Sequence, residues 1–234
     1  MGKRKAEYET VTTKVVKKPK GNPKAQMKGT PGRSRTSGYY GRFQGPSGEL
    51  KFFDTALSFN VDTTPEVPAT GQLCLIPQGV TESTRVGRKC TIKSIQIEGA
   101  MQFTPGAVTS GATLVTLALV QDTQTNGAAA AYSDIYDGSV FCSAVRNIEN
   151  GDRFKILKKW EVNLSAAAGI QSAFSNSLKK WSYYKKVQIP LEFSSTTGAI
   201  TELRSNNVFL VAGALASDDT VAVIGTARVR YSDN

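Results

Sequence analysis

Histidine is missing from all 234 residues. Its absence removes the commonest general base at neutral pH, the usual Ser and Cys triads, and most zinc and iron sites. Cysteine is scarce, and Cys74, Cys90 and Cys142 are odd in number and far apart. That spacing fits neither a disulfide frame nor a zinc site; it reads as small buried hydrophobes in a reducing compartment. No apolar run long enough to cross a bilayer occurs, so no membrane insertion is expected. The N-terminus is charged but no apolar stretch follows, so no secretory signal is expected, and the sequon at Asn163-Leu164-Ser165 then carries little weight. Ala6 stands where a myristoylation motif wants Ser or Thr. Gly87-Arg88-Lys89 lacks the upstream glycine and loop of a phosphate-cradling Walker sequence. The closest carboxylate pairs, Asp134/Asp137 and Asp218-Asp219, lie in turn-like sequence and read as solvated loops. No enzymatic activity, cofactor or metal is expected.

Carboxylates are almost absent from one end of the chain. Residues 1–42 hold twelve cations: Lys3, Arg4, Lys5, Lys14, Lys17, Lys18, Lys20, Lys24, Lys28, Arg33, Arg35 and Arg42. Only Glu7 and Glu9 oppose them, so the segment carries the whole chain's net charge of +10. Taking these groups from totals of 29 basic and 19 acidic residues leaves 17 of each in the remainder, which is neutral.

That end has no means of folding alone. Its few large apolar residues, Val11, Val15, Val16 and Met27, follow no helical or strand period. Burying them would not offset about 1–2 kcal/mol of backbone entropy per residue. A disordered basic arm over residues 1–45 is expected, tethered to a globular body over 46–234, and its one-sided charge suits a polyanion, above all nucleic acid. Lys3-Arg4-Lys5 and Lys17-Lys18-Pro19-Lys20 form two clusters spaced like a bipartite nuclear import signal, which would engage an import receptor. Gly29 to Gly48 reads as a hinge whose Tyr39, Tyr40 and Phe43 either stack on bases or pack on the body.

From Lys51 onward the sequence alternates. Phe53, Thr55, Leu57, Phe59 and Val61 share one face of a half-buried strand. Leu73–Ile76 reads as a short strand inside a turn-rich stretch. Thr91–Phe103 puts Ile95, Ile97, Met101 and Phe103 on one side. Thr113–Val120 and Val208–Ala216 are continuous apolar runs, which suit strands covered on both faces. Ala128–Asn147 is a long loop with a turn or two of helix. Arg153–Leu164 aligns Phe154, Ile156, Trp160, Val162 and Leu164; Lys179–Phe193 aligns Trp181, Tyr183, Val187, Ile189, Leu191 and Phe193; Val221–Tyr231 closes the chain. Seven or eight strands without alternating helices predict an all-β protein of two antiparallel sheets packed face to face.

Ile76-Pro77-Gln78-Gly79, then Thr84-Arg85-Val86-Gly87-Arg88-Lys89, then the strand from Cys90 to Ile97, form an ordered signature. It resembles that of the small single-jelly-roll capsid proteins of circovirus-like single-stranded DNA viruses and of plant satellite RNA viruses. The resemblance implies a disordered basic arm before a single eight-stranded antiparallel jelly-roll sandwich. It also implies self-association of about sixty copies into an icosahedral shell around a single-stranded genome, DNA in the circovirus-like group. Virion and host nucleus would be its locations. The arm departs from the circovirus pattern, since eight of its twelve cations are Lys where those arms are dominated by Arg. Lysine neutralises phosphate as a point charge but lacks the bidentate fork.

On that reading, sixty arms would supply about 720 cations, enough to neutralise on the order of 10³ phosphates in a sequence-insensitive, salt-sensitive manner. Lys155, Lys159, Lys179, Lys180, Lys185 and Lys186, with Trp181, Tyr183 and Tyr184 among them, are candidates for the shell's inner lining. The competing assignment puts Trp160, Trp181 and Tyr183 in the core and leaves the lysines as a solvated strand edge. Arg85 either joins a subunit contact or braces a loop through a carboxylate. A cellular nucleic-acid-binding protein with a β body and basic tail is the alternative function; it would be expected to bear a basic patch on the fold, which the even charge balance speaks against. Deleting residues 1–42 should leave the far-ultraviolet circular dichroism of the body intact while bound nucleic acid falls sharply. Loss of the β signal would contradict the two-part organisation.

Overall fold

The computed structural model describes residues 50–104, 112–165, 178–215 and 221–233. The whole basic arm, its twelve cations, both import clusters, and Tyr39, Tyr40, Phe43 and Asp218-Asp219 lie outside the described residues.

The described chain is all-β. In order it forms β1 (Leu50–Val61), β2 (Lys89–Phe103), β3 (Ala112–Asp122), β4 (Tyr136–Asp137), β5 (Val145–Arg146) and β6 (Phe154–Ser165). It continues through β7 (Lys179–Phe193), β8 (Leu203–Ser205), β9 (Asn207–Ala214) and β10 (Val221–Asp233). One helical turn, α1 (Tyr132–Ile135), sits in the segment expected to hold it. A five-stranded antiparallel sheet has the order β1-β10-β2-β7-β8, and a three-stranded sheet the order β6-β3-β9. Between β1 and β2 the chain adds isolated antiparallel bridges to β9, Glu66↔Ala212 and Gln72↔Phe209. Counting that segment as the second strand, the two sheets have the wrapping order of an eight-stranded jelly roll, first-eighth-third-sixth against second-seventh-fourth-fifth.

The bridging segment differs from expectation. Leu73, Cys74 and Ile76 are buried in the core, yet Leu73–Ile76 forms no strand. Pro65, Pro68 and Pro77 bracket the stretch and cannot donate to a ladder, so pairing survives only as single bridges.

The main core lies between the sheets. Leu57, Ile95, Ile97, Met101, Val223 and Val229 of the larger sheet meet Val115, Leu117, Leu119, Leu164, Leu210 and Ala212 of the smaller. A second core covers the other face of the smaller sheet, where Ala118, Val120, Phe209 and Val211 pack under Ile135, Tyr136 and Phe141. This explains why β3 and β9 are apolar at successive positions: both faces are covered. The covering excursion, residues 123–153, is clamped at its base. Arg153 donates from Nε and Nη2 to the Asp122 carboxylate, each at 2.8 Å, and the Asp122 side chain is buried. Carboxylate hydrogen bonding holds the Arg153 guanidinium above its ordinary value. Cys74 and Cys90 are buried and Cys142 half-buried, all as free thiols; burial pushes the Cys90 thiol up to about 12.

Two bulges revise the expected faces. β2 slips at Lys93, where both neighbouring ladders shift register, and this returns Ile92 to the core beside Ile95. β6 slips at Leu157, so Trp160, Val162 and Leu164 serve the main core while Phe154 joins the second one. The single apolar face expected for 153–164 is therefore two half-faces.

Phe209→Ala should cost about 3–5 kcal/mol by urea denaturation, because it empties the second core beneath the excursion. A cost below about 1 kcal/mol would mean that the outer face of the smaller sheet is not a packed core.

Candidate nucleic-acid interface

β6 and β7 are the strands at which the two sheets meet on one flank. Trp160 on β6 packs edge-on against Trp181 on β7, with ring centroids 5.1 Å apart, and against Tyr183 at 5.6 Å. Trp181 is 6% exposed, and Trp160 and Tyr183 are half-buried against the main core. The core assignment of these aromatics holds; they close the sandwich and are not free to stack on bases. Tyr184, the next residue, lies on the opposite face of β7 and is 58% exposed.

The lysines segregate onto this flank. β6 carries Lys155, Lys158 and Lys159, and β7 carries Lys179, Lys180, Lys185 and Lys186. The two strands hold two carboxylates. Glu161 pairs with Lys159 at 3.0 Å, and Glu192 approaches Lys89 at 3.7 Å. Among the described residues the other six lysines of these strands have no carboxylate partner. Lys158 stands opposite Leu119 and Lys185 opposite Ile95, so even core-facing rows end in exposed ammonium groups at this flank. The even charge count of the body had argued against a basic patch on the fold. The structure corrects that inference: a balanced total conceals an uneven distribution.

The Gln78-Gly79 and Arg85-Val86-Gly87 signature does other work. Arg85 is fully buried and, among the described residues, has no carboxylate partner. Its Nε donates to the Ile76 carbonyl at 3.0 Å, Nη1 to the Gly87 carbonyl at 2.5 Å, and Nη2 to the Ser195 carbonyl. The guanidinium lies 4.0 Å from the centroid of the Phe193 ring. Burial holds its pKa below the usual arginine value. Of the two expectations, the loop brace is the one observed, with carbonyls and a ring in place of a carboxylate. Around it Gln78 donates from its backbone to Thr196 O at 2.8 Å and from its side chain to Val86 O at 2.8 Å. Gly198, at φ +77°, comes so close to the Ile76–Pro77 peptide that a Cβ there would lie 2.7 Å from it. The signature thus ties the 76–87 loop to the 194–198 loop. Lys51 anchors the same region through Thr84 O and Asp233, both at 3.0 Å.

No family model and no curated protein matches the chain. Among solved structures, dimeric latent PorU from Porphyromonas gingivalis aligns at 12% identity and a TM-score of 0.27 over 81% of this chain and 14% of its own. The VP2 subviral particle of infectious bursal disease virus aligns at 11% identity and a TM-score of 0.24, over 79% of this chain and 33% of that one. The chain thus spans a third or less of either neighbour. At these scores neither alignment carries an argument.

Arg85→Met keeps the volume but strands the buried Ile76 carbonyl and two part-buried ones, so it should lower stability by about 2–5 kcal/mol in urea. Arg85→Lys should recover only part of this, because one ammonium cannot span the guanidinium's fork. Full recovery by lysine would show that charge alone matters there.

Proposed function

We propose that the protein is a structural capsid protein that assembles copies of itself into a closed shell and packages single-stranded nucleic acid through its basic N-terminal segment. The observation that carries the reading is the jelly-roll wrapping order of the two sheets in a chain whose first 42 residues hold its entire net charge. A β-sandwich of neutral total charge can tile without mutual repulsion, while a segment with twelve cations and two carboxylates neutralises phosphate without reading sequence.

The resemblance to circovirus-like capsid proteins supplies the finer terms, about sixty copies, a DNA genome and passage through the host nucleus before the virion, while the spacing of Lys3-Arg4-Lys5 and Lys17-Lys18-Pro19-Lys20 supplies a bipartite import signal. The reading is non-enzymatic and needs no cofactor. The lysine flank of β6 and β7 favours one alternative, a cellular nucleic-acid-binding protein with a β body, because such a protein would carry a basic patch on its fold.

Material purified under gentle salt and treated with nuclease tests the reading. A protected polymer that becomes DNase-sensitive only after the particle is opened is the expected result; RNase sensitivity instead would move the genome type to RNA. A 25.1 kDa monomer protecting nothing would overturn the capsid reading.

A further inference from the structure

We propose that the solvent face of the five-stranded sheet, continued around the free edge of β7, is a second binding track for single-stranded nucleic acid, separate from the basic arm. The inference takes the identity of the polymer from the packaging reading above.

Register sets out the face row by row. Asp54, Arg228, Gln96 and Tyr184 stand in line across β1, β10, β2 and β7. Phe52, Arg230, Ser94 and Lys186 form the next row, and Ser58, Ile224, Ala100 and Lys180 lie on the other side. Glu98, Lys180, Ser182, Tyr184, Lys186 and Arg230 are exposed, so no described element lies over this face. The smaller sheet has no such surface, because the 123–153 excursion covers it.

The face is not flat. A trough of about 710 Å³ crosses β10, β2 and β7. Its middle row is Gly225, Gly99 and Trp181, two glycines in register followed by a residue whose side chain turns to the core. This row faces the core, and a Cβ at Gly99 would lie 2.6 Å from the Trp181 indole nitrogen, so Gly99 makes room for Trp181 beneath the trough. Ile224, Ala100 and Lys180 border one side; Thr226, Glu98 and Ser182 border the other. A smaller hollow of about 160 Å³ shares Glu98 and Thr226 and reaches Gln96 and Arg228.

The chemistry along this path suits an unpaired strand. Lys180 and Lys186 flank Tyr184 on the same face of β7, which places a stacking ring between two phosphate-binding charges. Arg230 extends the positive edge across the sheet. Asp54 is already held by Arg228, at 2.7 and 2.6 Å, and that hydrogen bonding keeps its carboxyl below the usual range. Glu98 remains as an acceptor for the exocyclic amino groups of bases lying in the trough. Protection of a strand edge explains Lys158 and Lys185. It does not explain Lys180, Tyr184 and Lys186, which lie on the sheet face.

The test uses the full chain and fluorescent 30-nucleotide single strands of DNA and of RNA, with a duplex of equal length as control. Replacing Lys180 and Lys186 together by Gln should reduce the slope of log affinity against log salt by about 1.4, at roughly 0.7 for each lost contact. Tyr184→Ala should weaken single-strand binding by about tenfold and duplex binding far less. Equal effects on DNA and RNA identify a track that does not read the sugar; a larger effect on one identifies the packaged polymer. In the unmodified chain, Lys180 and Lys186 should be protected from acetylation by the single strands, which keeps the test open if a variant fails to fold. Unchanged slope, unchanged affinity and unprotected lysines would overturn the track. Megadalton particles with those null results would overturn the track and leave the capsid reading standing. A monomer showing the predicted losses would do the reverse.

Discussion

A β-sheet that is apolar on both faces has to be covered twice, and the three-stranded sheet of β6, β3 and β9 is such a sheet. Its inner face meets the five-stranded sheet through Val115, Leu117, Leu119, Leu210 and Ala212. Its outer face presents Ala118, Val120, Phe209 and Val211, and residues 123–153 fold back over them. Tyr132, Tyr136 and Phe141 lock that cover through mutual ring contacts at 4.8 to 5.7 Å. The Asp122–Arg153 pair fixes both ends of the excursion at the place where it leaves and rejoins the sheet. With one sheet committed on both sides, among the described residues only the larger sheet has a broad face left for solvent or a partner. The division of labour between the faces follows from where the apolar residues had to go.

Charge follows the same geometry. Carboxylates that border the structured core are engaged: Asp122 with Arg153, Asp233 with Lys51, Asp54 with Arg228. The lysines of β6 and β7 are largely unmatched, and they gather where the aromatic clasp of Trp160, Trp181 and Tyr183 closes the sandwich. An uncompensated row of ammonium groups opposes its own accumulation, so its persistence on one flank of a neutral body calls for a partner or for edge protection. Arg85 shows the contrasting case. Its charge is taken up entirely within the fold by three carbonyls and the Phe193 ring, and it leaves nothing for a ligand.

Much of the fold was legible because period-two alternation and doubly apolar runs report burial directly. β1, β7 and β10 fall where alternation placed them, and β3 and β9 are covered on both sides as their composition implied. What escaped depends on contacts between distant segments. The bulges at Lys93 and Leu157 change which residues face inward, yet nothing local marks either. Ser195, a partner of Arg85, is 110 residues away and accepts through its backbone, which no side-chain pattern reveals. The lysine flank was hidden for another reason: a net charge sums over the body, and a sum cannot show where the charges lie. The sorting of the aromatics was half legible. Alternation sent Trp181 and Tyr183 inward, but only the cross-strand register shows Tyr184 beside the open trough.

The proposed track implies one orientation: the polymer would lie against the five-stranded sheet, with the covered three-stranded sheet facing away from it. A cryo-electron microscopy reconstruction of the assembled protein tests this most directly. The account predicts a closed shell whose lumen is lined by the Tyr184 and Lys186 face of the larger sheet, with polymer density over the Gly225–Gly99 trough. A shell with residues 123–153 turned to the lumen and the trough open to the exterior would contradict it.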